Sequence, residues 1–253
     1  MKLLFETVVL RPYVFGFLLA FLIAGVIDLG WRRTLGFLAW VWPLAWIAEF
    51  TSTRIGVPFG LYHYTGTTVG HELYVANVPF MDSLSFTFLA YAAFCLARVA
   101  MAGRGVSRVT VAVSAGLFMM LLDVVIDPLA VRGDRWFLGR IFYYPEGGAY
   151  FGVPLTNFVG WWIVGAIGVG GYLALSGVTA PGRPWLGVAV YYAVLAFNLA
   201  VTAWIGEWTL AGSGAAVHAA LGLSLYAVRA RASSASSLGQ TSSGGRTRLP
   251  RTC

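Results

Sequence analysis

Seven apolar stretches run along this chain, each close to the roughly 20 residues that a helix needs to cross the hydrocarbon core of a membrane. Two long connections rich in Tyr, Gly and Pro, residues 51–81 and 127–152, interrupt them. The second stretch is short and contains Pro43, which predicts a kinked or tilted helix. The pattern predicts an all-α integral membrane protein with about seven transmembrane helices, at 13–29, 34–50, 82–102, 109–126, 153–175, 185–205 and 209–228.

The composition also indicates a membrane protein. Of the 253 residues, 58% are hydrophobic and 11% are charged, whereas a soluble domain carries about 25% charged residues. The net charge of +7 is concentrated after residue 228, where five arginines and no acid occur in a Ser/Gly-rich sequence. We predict a polytopic transmembrane domain over 1–228 and a basic, disordered tail over 229–253 that faces membrane lipids and no nucleic acid. The arginines on the tail's side favour a cytoplasmic tail in a multi-pass protein of the cell membrane.

Two parts of the chain share a layout. In each, an acid ends an apolar stretch and a proline opens the next one 30 or 31 residues later, with a polar residue three positions past the proline. The matching residues are Glu49, Pro79 and Asp82 in the first part, and Asp123, Pro154 and Asn157 in the second. This layout predicts a parallel internal repeat of spans two and three with spans four and five, as in some transporters. Ordinary helix capping by proline and a polar residue is the alternative explanation.

Five acids lie at span ends that open on the same side of the membrane. Ionisable groups at membrane depth are costly and usually face the protein interior or a water-filled cavity, so they are candidate functional residues. The alternative for each acid alone is an interfacial residue among the lipid headgroups. Asp123 and Asp127 share a helix face, and two carboxyl groups in one confined site would hold at least one proton at neutral pH. The five acids are Glu49, Asp82, Asp123, Asp127 and Glu207.

Aromatic residues surround these acids in both long connections and at the start of the fifth span. A belt of aromatic side chains at the membrane interface would explain many of them. The alternative is an apolar cavity whose ring faces stabilise a cation. The residues are Tyr62, His63, Tyr64, Trp136, Phe137, Phe142, Tyr143, Tyr144, Tyr150, Phe151, Trp161 and Trp162.

The residue inventory excludes several kinds of chemistry. Three histidines and two cysteines are too few for the histidine-rich di-iron centre of membrane hydroxylases, a disulfide framework or a thiolate metal site. The sequence contains no aspartate-rich diphosphate motif, Walker A loop, dinucleotide-binding fingerprint or nucleophile elbow. We therefore expect an enzyme of this composition to act on a lipid-soluble compound with acids and water, and with no metal or cofactor.

Four segments carry a more specific pattern. They are 49–65 (EFTSTRIGVPFGLYHYT), Val78-Pro79, 123–131 (DVVIDPLAV) and 150–162 (YFGVPLTNFVGWW). Together they resemble the CruF family of integral-membrane carotenoid biosynthesis proteins, over about residues 40–165. The family includes carotenoid 1,2-hydratases and the bisanhydrobacterioruberin hydratase of halophilic archaea. The resemblance implies addition of water to the terminal C1,C2 double bond of an acyclic carotenoid, with neither oxygen nor cofactor, and it supplies no catalytic residues.

Acid-catalysed hydration requires a proton donor, a pocket that tolerates a tertiary cation and a positioned water. From the residues, we assign the general acid to Asp123 or Asp127, and the orientation of water to Glu49 or Asp82. The expected substrate-binding residues are Arg54 and Asn157 as polar organisers and Tyr62, His63, Tyr144 and Trp161 as aromatic groups. Residues 1–228 would then form the catalytic domain.

Two other functions fit the same sequence. A small-molecule transporter would also show repeats, kinked spans and polar helix ends, although its polar groups usually lie near the bilayer midplane. A non-catalytic scaffold of carotenoid synthesis would need none of the acids. The expected partners are a lipophilic carotenoid substrate, membrane lipids and other enzymes of the carotenoid pathway.

Overall fold

The computed structural model describes residues 2–177 and 182–243, with side chains described as far as Val228. The chain divides after Gly214 into two units, of which the first contains seven helices and the start of an eighth, and the second contains the rest of the eighth. The described helices are α1 (Lys2–Leu10), α2 (Pro12–Leu29), α3 (Trp31–Ile55), α4 (Phe80–Met101), α5 (Arg108–Ala130), α6 (Leu155–Ser176), α7 (Trp185–Trp204) and α8 (Trp208–Ser243).

Six of the described helices, α2 and α4 to α8, are long and apolar enough to cross a membrane. The predicted all-α membrane fold is therefore confirmed. The second predicted span lies in α3, whose 25 residues would extend about 37 Å at 1.5 Å per residue. Helix α3 is therefore long enough to cross a membrane. It carries four charged residues, however, and is not one of the six apolar spans.

Proline and glycine set the ends of these helices. Pro12 occupies the first turn of α2, and Pro79 and Pro154 directly precede α4 and α6, where a missing N–H costs nothing. Gly30 lies between α2 and α3 and Gly56 ends α3, with φ of 82° and 75°, values that glycine adopts without a steric cost. These breaks bring the C-terminal ends of α3 and α5 to the same end of the bundle as the N-terminal ends of α4 and α6.

Helices α5 and α6 touch backbone to backbone at two glycines. A Cβ atom on Gly116 would lie 2.3 Å from the carbonyl oxygen of Trp162, and one on Gly165 would lie 2.9 Å from Cα of Gly116. Small residues permit such close contacts between membrane helices. Asp123 lies two turns beyond Gly116, and Asn157 lies two turns before Gly165 on the antiparallel partner. The crossing therefore places an acid of α5 beside an amide of α6.

The two long connections pair with each other. Strand β1 (His63–Tyr64) of the first connection pairs antiparallel with a later strand of the second, Phe142–Tyr143. A short 3-10 helix, Gly133–Arg135, lies earlier in the second connection. This pairing fixes both connections over the same end of the bundle.

Each connection closes with a two-residue turn just before the next helix. In the first connection, strand β2 (Tyr74–Val75) pairs with β3 (Val78–Pro79). In the second connection, whose strand Phe142–Tyr143 is β4, Tyr150 forms an isolated bridge to Val153. The first residue of each turn has a positive φ, 57° at Ala76 and 50° at Phe151. These shared features support the predicted internal repeat, although the rotation that would relate the two halves stays a prediction.

The predicted tail lies largely outside the described part of the chain. The backbone of α8 is helical as far as Ser243, whereas the side chains of 229–243 and the whole of 244–253 are outside the described residues. The division into 1–228 and a disordered tail, and the cytoplasmic side of that tail, therefore stay predictions.

Candidate functional site

A cavity of about 130 Å³ lies at the end of the bundle that both long connections cover. Seven of the ten predicted site residues line it. They come from α3, α4, α5, α6 and both connections, so residues far apart in the sequence share one cavity. The seven are Glu49, Tyr62, Asp82, Asp127, Tyr144, Asn157 and Trp161.

Asn157 joins the two acids of α5. Its Nδ2 atom lies 2.7 Å from Oδ2 of Asp123 and 2.7 Å from Oδ2 of Asp127, and Nε1 of Trp161 donates to Oδ2 of Asp127 at 3.2 Å. Asp127 lines the cavity, whereas Asp123 is fully buried one turn behind it, and its Oδ1 has no donor among the described residues. The two Oδ2 atoms therefore share one amide nitrogen. Because two carboxyl groups held this close do not both ionise readily, the pair is suited to hold one proton.

Glu49 and Asp82 form a second acidic group on the same cavity. Tyr64 lines the same cavity, and its hydroxyl lies 3.5 Å from the hydroxyl of Tyr62. Glu49 is buried, and its Oε2 has no partner within the part of the chain that the structure describes. Over those same residues, no group of three His, Cys, Asp or Glu side chains is arranged to hold a metal ion. The cavity therefore contains two acidic groups with different hydrogen-bonding surroundings.

Aromatic rings make up much of the remaining wall. Trp161 stacks on Phe86 with ring centroids 4.3 Å apart, and Tyr62 meets Tyr144 edge to face at 5.7 Å. Burial, reinforced by the nearby acids, raises the pKa of Tyr62 and of Tyr144, so both remain neutral phenols. Neutral, electron-rich ring faces are suited to stabilise a positive charge in the cavity.

The chain matches the family of proteins described as carotenoid biosynthesis protein over residues 5–221. The chain belongs to this family. The matched region contains every residue of the cavity wall, so the cavity lies wholly within the part of the chain that matches the family.

A relative with a named activity matches a shorter region. The bisanhydrobacterioruberin hydratase of Haloarcula japonica is 30% identical to this carotenoid biosynthesis protein over 148 residues. The match covers 58% of this chain and 47% of the relative, so the chain spans about half the length of the curated relative it matches. No solved structure matches the chain.

Arg54, predicted as a polar organiser, lies outside the cavity. It is exposed at the end of α3, where Nη1 donates to Oδ1 of Asn77 at 2.7 Å and the guanidinium lies over the ring of Phe50. Five residues separate Arg54 from Glu49, a rotation of about 140° around the helix. The arginine therefore cannot share the face that Glu49 turns toward the cavity.

His63, predicted as a binding residue, also lies outside the cavity wall. It belongs to β1 and pairs with Tyr143, against whose ring it packs. Successive side chains of extended backbone point in opposite directions. Because Tyr62 and Tyr64 both line the cavity, His63 between them points away.

Glu207, the fifth acid expected in the group, forms ion pairs elsewhere. Its carboxylate pairs with Arg132 at 3.3 Å and with Arg135. Although desolvation acts to raise it, the hydrogen bonds and positive charges of Arg135 and Arg132 lower the pKa of Glu207 below its ordinary value. Glu207 therefore links the second long connection to the α7–α8 junction and is separate from the cavity acids.

A buried ion pair beside the cavity was not predicted. Nε and Nη2 of Arg11 donate to Oε2 and Oε1 of Glu72 at 3.3 and 3.1 Å, and Nη1 donates to the carbonyl oxygen of Leu138 at 2.7 Å. Arg11 and Glu72 are 1% and 2% exposed. Arg11 thus ties both long connections to the start of α2.

Several apolar and neutral wall residues were also missed. They lie on helices whose apolar faces look alike in sequence, and neither charge nor spacing distinguishes the residues that face the cavity. The missed residues include Tyr13, Phe17, Ser85, Phe86, Phe197 and Asn198.

Proposed function

We propose that this carotenoid biosynthesis protein adds water across the terminal C1,C2 double bond of an acyclic carotenoid and produces a tertiary alcohol. Family membership and the named activity of the Haloarcula japonica relative support a carotenoid substrate and a hydration reaction. The observation that carries the proposal is the pair of carboxyl groups, Asp123 and Asp127, that Asn157 joins at the edge of an aromatic cavity.

The first step is protonation of C2. Asp127 faces the cavity, so it is the donor, and Asp123 behind it shares the proton in the resting state. Proton transfer breaks the Asp127 O–H bond and the π bond, forms a C2–H bond and leaves a tertiary cation at C1. The amide of Asn157 and the indole N–H of Trp161 then stabilise the carboxylate that remains on Asp127.

The second step is capture of the cation by water. The faces of Trp161, Tyr62 and Tyr144 stabilise the charge at C1 until a water oxygen attacks. Glu49 or Asp82 orients that water and accepts the proton it loses. Return of this proton to Asp127 regenerates the acid pair, so that one water is added and no electron is gained or lost. The proposed reaction therefore needs no cofactor.

The location of the acids separates this proposal from transport. The acidic groups lie at the helix ends under the two long connections, whereas a transporter usually binds its substrate near the bilayer midplane. A scaffold would have no use for two buried, partly unpaired acids, which are costly to bury. We place the catalytic domain within 1–228 and the protein in the cell membrane.

Expression in a lycopene-producing host tests the proposal. Membranes that contain the wild-type protein, Asp127→Asn or Glu146→Gln are extracted. The pigments are then separated, and their molecular masses are measured by mass spectrometry. Glu146 is an exposed acid of the second connection and provides the control. We expect a tertiary alcohol one water heavier than lycopene from the wild type and Glu146→Gln, and none from Asp127→Asn. Unchanged lycopene in the presence of membrane-inserted wild type would contradict the proposed reaction on this substrate.

A further inference from the structure

The acid cavity is too small for a whole carotenoid. Its volume of about 130 Å³ is below the roughly 300 to 1,000 Å³ of typical ligand pockets. The substrate of the proposed reaction is a long hydrocarbon that reacts only at its end. The cavity can enclose the end group and a water, so the rest of the chain must lie outside it.

A second, larger cavity begins where the acid cavity ends. It is a groove of about 590 Å³ between α2 and α7. Tyr13, Phe17 and Phe197 line both cavities, so the groove leads directly into the site. All lining residues of the groove belong to α2 or α7.

Small residues form the floor of this groove. Gly16, Ala20 and Ala24 of α2 face Ala189 and Ala193 of α7. Because these side chains are short, the helices leave a continuous channel where larger residues would interlock. Apart from the hydroxyl of Tyr13, the lining side chains consist of carbon and hydrogen, which suits a hydrocarbon and provides nothing to bind a polar ligand.

The groove has the length and the opening that a linear chain needs. From Phe197 to Leu186 it follows α7 over about 16 Å, which is about half of the 30 Å hydrocarbon core. Its far end is exposed at Ile23 and Leu186, so the groove opens to the lipid.

Three rings lie at the junction of the two cavities. Tyr13 stacks on Phe197 with centroids 5.3 Å apart, and Phe17 meets Phe197 edge to face at 5.7 Å. Aromatic side chains in these arrangements pack well against flat, conjugated hydrocarbons. Because these rings touch one another, a linear polyene that entered the acid cavity from the groove would pass beside the cluster, along its ring faces.

We propose that the α2–α7 groove binds the polyene chain of the substrate and that the end group reaches the acids past Tyr13, Phe17 and Phe197. This inference rests on the proposed function for the identity of the substrate. The groove then selects long, linear, flexible-ended hydrocarbons and draws them from the membrane. The other occupant that the lining would accept is a lipid acyl chain, which the experiment below distinguishes.

The test fills the groove without touching the acids. Ala20→Trp and Ala193→Trp place a large ring in the groove. Leu19→Trp and Ala196→Trp place the same ring on neighbouring exposed positions of the same two helices, outside the groove. Each purified variant is reconstituted in lipid nanodiscs, and bound lycopene is measured by its visible absorbance together with its conversion.

We expect both groove variants to bind and convert lycopene at least about tenfold less well than the wild type, since the added ring occupies the space that the polyene would fill. Both control variants should match the wild type. Ala20→Leu and Ala193→Leu, which are milder, should fall in between, and this graded order guards against a loss through misfolding. Equal lycopene binding by all variants would overturn the inference and assign the groove to lipid. Wild-type protein that binds lycopene but does not hydrate it would refute the proposed reaction, while the binding series would still decide the groove.

Discussion

Nδ2 of Asn157 donates a hydrogen bond of 2.7 Å to Oδ2 of Asp127. The same amide also donates to Oδ2 of Asp123, so one neutral side chain fixes the positions of both carboxyl groups. Asn157→Leu keeps the approximate size but removes this donor. We expect hydration to fall at least about tenfold and unfolding to be easier by about 1–3 kcal/mol, because buried carboxyl oxygens lose their partner. Product yield and thermal unfolding of the purified variant measure the two effects.

A change of the same kind outside the cavity provides the control. Nδ2 of Asn77 donates to Thr53, and Oδ1 of Asn77 accepts from Arg54. Asn77→Leu should lower stability to a similar or smaller extent and leave hydration per folded molecule unchanged. If the two leucine variants lose hydration equally, Asn157 contributes to folding and not to the reaction.

The acids themselves give the largest expected effect. Loss of a general acid typically slows a reaction by about 10² to 10⁴, and an amide of the same shape cannot donate the proton. We expect Asp127→Asn to abolish product while the protein still accumulates in the membrane, with Asp123→Asn and Glu49→Gln also impaired. Glu146→Gln should behave as wild type. Near-normal hydration by all three acid variants would show that the proton comes from another group.

Asp28, an acid in the last turn of α2, would be a poor control for the cavity acids. Its side chain is buried and pairs with Arg98 at 2.5 Å, and it accepts a hydrogen bond from Tyr91 at 3.2 Å. Removing one partner of a buried ion pair typically costs about 3–5 kcal/mol. Asp28→Asn would therefore lower the amount of folded protein for reasons unrelated to the cavity, whereas Glu146 is exposed.

Two glycines should respond in opposite ways to replacement by alanine, because Gly116 lies at the contact between α5 and α6 and Gly36 of α3 faces open space. Gly116→Ala adds a Cβ atom 2.3 Å from a backbone oxygen, so the helices must separate. We expect unfolding to become easier by about 3 kcal/mol and hydration to fall, because Asp123 and Asn157 move apart. At Gly36, where a Cβ atom would meet nothing within 4 Å, alanine should raise stability by up to about 1 kcal/mol. Thermal unfolding of both variants in nanodiscs measures the difference, and equal shifts would contradict the close contact.

The Arg11–Glu72 pair predicts strong coupling between the start of α2 and the first connection. Glu72→Gln leaves the buried Arg11 charge without its counterion, which typically costs about 3–5 kcal/mol. The double variant Arg11→Met, Glu72→Gln removes both charges and should recover part of that loss. A double-mutant cycle on thermal unfolding checks this expectation. Additive losses would mean that the two side chains do not interact in the membrane.

Much of the fold could be predicted because the governing signals are local. Apolar stretches of spanning length, and prolines at the start of two of them, identified the helices directly. The relation of Asp123 to Asp127 follows from helical spacing alone. Asn157 was found because Pro154 marks the start of α6, and a polar residue in that first turn lies at the same end of the bundle as the acids.

The errors concern side-chain direction and long-range pairing. Arg54 was predicted as a binding residue because of its charge, but helical rotation turns its side chain away from the cavity. Strand alternation turns His63 away in the same way. Glu207 was grouped with the acids by its depth, while Arg132 and Arg135, on a distant connection, neutralise it. Arg11 and Glu72 are 61 residues apart, and no periodic pattern links residues at that separation.

The source of the product's oxygen tests the central claim most directly. Purified protein in nanodiscs is supplied with lycopene under strictly anaerobic conditions in water enriched in heavy oxygen, with no added cofactor, and the product is analysed by mass spectrometry. We predict a tertiary alcohol that carries the label, formed at the same rate with and without molecular oxygen. An unlabelled alcohol, or an absolute requirement for molecular oxygen, would contradict hydration by the cavity acids.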